Sequence, residues 1–132
     1  MKSTFSDDDP IYNPISKHSK NVWLLTEKLI IELRDRVVSN GGRFVLFVQD
    51  SIPTQLSRKT DRYYVEDRLG RFCVQNAMHC TFMGREAVNQ FERTKINIHG
   101  FSSENAGHWN EEGHKMAYML LEKILKNMSV IK

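Results

Sequence analysis

His108 is placed for proton transfer. It stands two residues ahead of a helix start, with Gly107 before it and Asn110, Glu111 and Glu112 after it. Asparagine is a preferred helix cap, and acids in a first turn favour the helix dipole. An imidazole on the loop before such a helix can reach into a cleft and exchange protons near neutral pH. The plainer role for the same residue is a loop histidine bonded to backbone. A metal centre is not expected. His108 and His114 are six apart, too far for one helical face at four-residue spacing, and His79 and His99 have no matched partner. No cofactor-binding motif stands out either. Cys73 and Cys80 form neither a disulfide framework nor a metal knuckle and read as buried core thiols. Cys80 is the thiol placed to approach His108, but burial argues for an inert one. Ser51 follows an apolar run and reads as a turn residue.

The segment Ala106-Gly107-His108-Trp109-Asn110-Glu111-Glu112-Gly113-His114 resembles the last block of the SGNH/GDSL hydrolase superfamily. These are α/β esterases and acyl-transfer enzymes with a catalytic histidine just before the C-terminal helix. The branch it looks most like carries Asp-Gly-His-Trp-Asn-x-x-Gly-His. Gly107, His108, Trp109, Asn110, Gly113 and His114 match that pattern, and Ala106 stands where the Asp belongs. Other branches place the acid one residue earlier, at the position of Asn105 here; the nearest upstream acid is Glu104. Asn105 can orient a neutral imidazole but stabilises the charged form less, and Glu104 reaches His108 only if the loop bends back. A weaker likeness runs through Trp23-Leu24-Leu25-Thr26, residues 42–48 and Ile52-Pro53, so the resemblance covers most of the chain from about residue 21.

Two superfamily motifs are missing. No serine ahead of His108 lies in a Gly-Asp-Ser or Gly-x-Ser-x-Gly context, and no Gly-x-Asn-Asp block occurs. The resemblance therefore implies the C-terminal part of such a domain, with His108 as the general base. That base would take the serine proton and return it to the leaving alcohol. The substrate class implied is an O-acyl ester, bound once the N-terminal part is supplied; neither the acyl group nor the alcohol is specified.

The chain has 132 residues, with 40% hydrophobic and 27% charged residues, which suits one small globular domain or part of a larger one. A net charge of +3 and the lack of a long basic run argue against nucleic acid as a partner. No apolar run approaches the ~20 residues of a membrane span. The start, with Asp7-Asp8-Asp9, is not a signal peptide, so the chain as it stands is expected to remain in the cytoplasm.

The elements that must position His108 can be read in outline. Residues 1–20 are polar, contain Pro10 and Pro14, and are expected to form an irregular arm. The domain part spans residues 21–132. Over 21–40, Val22, Leu25, Leu29, Leu33 and Val37 recur at helical spacing, and Asn40-Gly41 supplies the stop. Residues 44–48 are five apolar residues in a row, the pattern of a strand covered on both faces in a parallel sheet. A helix over 61–76 with Val65, Leu69, Phe72 and Cys73 inward leads to a second strand over 78–82. Strand, helix, strand predicts a right-handed parallel crossover. A short helix over 85–93 follows, with Val88 and Phe91 inward, then a loop over 95–107 with a short extended piece at 96–99. The last helix is expected over 111–128, burying Ala117, Leu120, Leu121, Ile124, Leu125 and Met128.

The expected fold is α/β, a short parallel sheet with flanking helices, part of the flavodoxin-like SGNH-hydrolase fold. The expected function is that of a fragment of an SGNH/GDSL-like ester hydrolase or O-acyltransferase, inactive alone. Two buried strands are too little sheet for a complete doubly wound domain, so an unpaired edge should remain. The alternative function is a non-catalytic interaction module that pairs through that edge with a second copy or a complementary chain.

Overall fold

The apolar run after Gly42 becomes strand β1 (Val45–Val48), and residues His79–Phe82 become strand β2. The two pair in parallel, with Val45 opposite His79, Leu46 opposite Cys80, Phe47 opposite Thr81 and Val48 opposite Phe82. The computed structural model describes residues 17–49, 62–100 and 108–131. Among the described residues four helices lie around the sheet: α1 (Lys17–Ser39) before β1, α2 (Tyr64–Gln75) between the strands, then α3 (Gly84–Thr94) and α4 (Glu111–Asn127). The mixed α/β class and the parallel pairing through an intervening helix are as the sequence predicts.

Side-chain alternation divides the molecule into two cores. Leu46, Val48, Cys80 and Phe82 point to one face, against Trp23 of α1 and Val65, Leu69, Phe72 and Cys73 of α2. Phe47 points to the other, against Met83, Ala87, Val88, Ile98, Met116 and Ala117. Helices therefore cover both faces of the sheet. Burying each large side chain contributes roughly 1.5–3 kcal/mol. The inward face expected of α2 is the observed one. In α4, Ala117 and Ile124 are buried as expected, joined by Met116, while Leu120, Leu121, Leu125 and Met128 are half-buried.

Polar contacts lock the helices together. Arg68 of α2 pairs with Glu27 of α1 at 2.8 Å and lies 4.8 Å from the Trp23 ring centre. The Arg34 Nη1 of α1 donates to the Asn76 carbonyl just past α2, at 2.9 Å. Buried Glu66 of α2 accepts from the Arg85 backbone N–H at 2.8 Å, satisfying a donor in the first turn of α3. Arg85 also pairs with Asp67 at 2.7 Å.

Three expectations are corrected. First, Lys17 to Lys20, assigned to the arm, are helical; residues 1–16 lie outside the described residues. Second, α1 buries a different face from the one expected. Trp23 and Ser19 are buried and Ile30 and Ile31 pack on the α2 core, while Leu25, Leu29 and Leu33 are exposed. The cause is that Trp23, Ile30 and Ile31 lie about 100–200° around the helix from Leu29, and the bulky Trp23 takes the interior. Third, Cys73 and Cys80 are not free thiols; a disulfide joins the last turn of α2 to β2. The tight return from helix to strand brings residues seven apart in sequence to a Cα–Cα distance of 6.3 Å.

Candidate functional site

His108 is set by the ends of its loop. The segment 98–100 runs antiparallel to 108–110, with His99 opposite Trp109. Gly100 N–H donates to the His108 carbonyl at 2.7 Å, and Asn110 N–H donates to the Ile98 carbonyl at 3.0 Å. Two backbone bonds thus fix the chain on either side of the loop they close. Asn97 braces this ladder, since its Oδ1 accepts from His99 N–H at 3.1 Å.

Asn110 begins α4 as the sequence predicts. Its extended backbone and its Oδ1, which accepts from Gly113 N–H at 3.1 Å, make it the helix cap. Its Nδ2 donates to the Asn97 carbonyl at 2.8 Å, so the cap also ties α4 to the preceding loop. Glu111 and Glu112 follow in the first turn, where the helix dipole favours them. Gly113 is buried, and a Cβ there would lie 2.5 Å from the Ile98 carbonyl oxygen and 2.8 Å from the Trp109 Cβ. Only glycine lets α4 come this close to the ladder that carries His108.

Trp109 is a packing anchor. Its ring stands edge-on to Phe47 of β1 at 6.0 Å and to His114 of α4 at 5.6 Å. It thereby connects the sheet, the ladder and the first turn of the last helix. The Trp109 Nε1 is buried with no hydrogen-bond partner among the described residues.

The exposed His108 faces a cleft of about 380 Å³ together with Gln49, Trp109 and His114. Gln49 directly follows the last residue of β1. The cleft therefore opens at the carboxyl end of the sheet, where ligand sites of open α/β folds form. The six-residue spacing argues against a metal pair of His108 and His114, and places His114 at the surface or near the cleft. His108 precedes the cap, yet both imidazoles line one cleft, with Trp109 between them in sequence and in ring contact with His114. The sequence does not single out Gln49; its place just after the apolar run of β1 was the available signal.

The arrangement supplies proton-transfer groups and a carboxamide. Among the described residues, no three His, Cys, Asp or Glu side chains are grouped to hold a metal ion. His79 is exposed at the start of β2, and His99 is buried in the ladder. Cys80 is in the disulfide, and in that oxidised form its sulfur offers no thiolate to the cleft. Ser51, Glu104, Asn105 and Ala106 lie outside the described residues. Of the described serines ahead of His108, Ser19 is buried in α1 and Ser39 caps the end of α1, its hydroxyl donating to the Arg36 carbonyl. No helix among the described residues is long and apolar enough to cross a membrane. No family model, curated protein or solved structure matches this chain.

Proposed function

We propose that this chain is the histidine-bearing C-terminal part of an SGNH/GDSL-type ester hydrolase or O-acyltransferase with a flavodoxin-like fold. His108 is its general base. The observation that supports this reading most is the position of His108: on a short loop before the last helix, facing a cleft at the carboxyl end of β1. A base there meets a serine presented from another strand end, takes its proton during attack on an O-acyl ester, and returns it to the leaving alcohol. The glycine and cap of the matching motif have physical roles here. Gly113 permits close packing and Asn110 starts the helix, and both orient the loop.

The chain carries no Gly-Asp-Ser or Gly-x-Asn-Asp motif, so the nucleophile and oxyanion donors must come from elsewhere. Oxyanion donors contribute roughly 3–4 kcal/mol of transition-state stabilisation. Alone, the chain should hydrolyse aryl acetates no faster than its His108→Ala variant. The upstream coding sequence is the first test: an open frame carrying Gly-Asp-Ser and Gly-x-Asn-Asp supports the reading, and a stop codon immediately before Met1 counts against it.

The exposed surface favours a second reading, a non-catalytic module that binds another chain. Every residue of β1 is half-exposed, although helices flank both faces of the sheet. Leu25, Leu29 and Leu33 form an exposed apolar stripe on α1. Both features suit an additional strand and its covering helix, or a second copy. Light scattering after size-exclusion chromatography tests the open edge that both readings share, because a chain that is monodisperse and monomeric at tens of micromolar needs neither a partner nor further strands; the upstream coding sequence separates the two.

A further inference from the structure

The disulfide lies in a turn that other bonds already hold. Met78 N–H donates to the Cys73 carbonyl at 2.9 Å, and Ala77 N–H donates to the Val74 carbonyl at 3.3 Å. The Asn76 N–H and side-chain Nδ2 both donate to the Phe72 carbonyl, at 3.1 and 2.8 Å. Arg34 of α1 clamps the Asn76 carbonyl from outside. On the strand side, Cys80 is held opposite Leu46 by the parallel ladder. Non-covalent contacts thus place both Cα atoms at a 6.3 Å separation, inside the range that a disulfide spans.

We propose that Cys73 and Cys80 form a reversible redox staple that tightens α2 onto the sheet in an oxidising medium and opens in a reducing one without unfolding the chain. Closure proceeds by thiol–disulfide exchange with a low-molecular-weight disulfide such as oxidised glutathione. The thiolate of the half-exposed Cys80 attacks one sulfur of glutathione disulfide, forming a mixed disulfide and releasing one glutathione thiolate. The Cys73 sulfur, after losing its proton to solvent, displaces the second glutathione. The protein loses two electrons and two protons, and one glutathione disulfide becomes two thiols. Opening is the reverse, driven by excess reduced thiol. The buried Cys73, 4% exposed, serves as the resolving sulfur because α2 keeps it in place and shields it from a second glutathione.

The staple closes a short loop, so its loss should lower the melting temperature by several degrees while leaving secondary structure intact. The experiment equilibrates the purified chain in glutathione buffers of varied ratio, blocks free thiols with iodoacetamide, and weighs the intact protein. Expected is one cooperative change from no alkyl groups to two, fully reversed on returning to the oxidised buffer, with unchanged far-ultraviolet circular dichroism. A melting curve in dithiothreitol should fall below that of the oxidised chain. The Cys73→Ala/Cys80→Ala double variant should show no response to dithiothreitol, which separates the redox effect from simple packing. Two alkyl groups in fully oxidised buffer, persistent mixed glutathionylation, or unfolding on reduction would each overturn the proposal.

Discussion

Replacing Gly113 by alanine should destabilise the chain although alanine is the better helix former. The added Cβ would sit 2.5 Å from the Ile98 carbonyl oxygen, about 0.9 Å inside the 3.4 Å at which ordinary contact begins. It would also meet the Cβ and Cγ of Trp109 at 2.8 and 3.0 Å. None of these atoms is the free end of a flexible side chain. The Ile98 carbonyl is engaged by Asn110 N–H, and Trp109 is pinned by Phe47 and by the bridge to His99. The first turn of α4 must therefore retreat, weakening the Asn110 cap. Overpacking costs about 1–3 kcal/mol and a damaged cap about 1 kcal/mol, while the gain in helix propensity is about 1 kcal/mol. A net loss of about 1–3 kcal/mol follows, equivalent to a melting temperature lower by roughly 3–10 °C for a chain of this length. Urea and thermal unfolding followed by circular dichroism read it directly. A variant as stable as the parent, or more stable, would show that α4 does not pack this closely and that Gly113 does not position the His108 loop.

Gly70→Ala is the matched control. A Cβ at Gly70 meets nothing within 4 Å, so this change inside α2 should stabilise the chain by up to about 1 kcal/mol; destabilisation would contradict the α2 packing. The Glu122 carboxyl should titrate below the ordinary range, because Lys126 first and Tyr118 second hydrogen-bond its charged form. That interaction is complete above the unfolded pKa and fades as pH falls through the lower folded value, which a carbon-detected NMR titration follows; a midpoint at or above the ordinary value would refute it. Leu29→Glu, on the exposed stripe of α1, should leave monomer stability within about 0.5 kcal/mol while reducing self-association in light scattering; unfolding would place Leu29 inside the core.

The fold was legible wherever one physical pattern had one solution. The apolar run at 44–48 allows few structures other than a covered strand, and α2 has a single apolar face, so Val65, Leu69, Phe72 and Cys73 were found together. The α1 face was not legible, because apolar residues fill a wide arc of that helix and periodicity cannot choose among its stripes. The disulfide was missed because a seven-residue spacing means nothing until a helix turns sharply into a strand. At the site, the Asn110 cap was readable from residue type and the acids after it. The meeting of His108 with His114 and Gln49 in one cleft was not, since it depends on how the 98–100 and 108–110 ladder stands beside the end of β1.

The central claim is that His108 is a catalytic base awaiting a nucleophile. The direct measurement is hydrolysis of 4-nitrophenyl acetate by the chain alone and by the chain joined to whatever Gly-Asp-Ser-bearing segment an upstream open frame encodes, each with and without His108→Ala. The account predicts no turnover above the variant for the chain alone. For the chain joined to such a segment, it predicts turnover that falls by about 10³-fold or more when His108 is removed. Turnover by the joined protein that survives His108→Ala, or equal turnover by the chain alone with a single labelled serine, would contradict it.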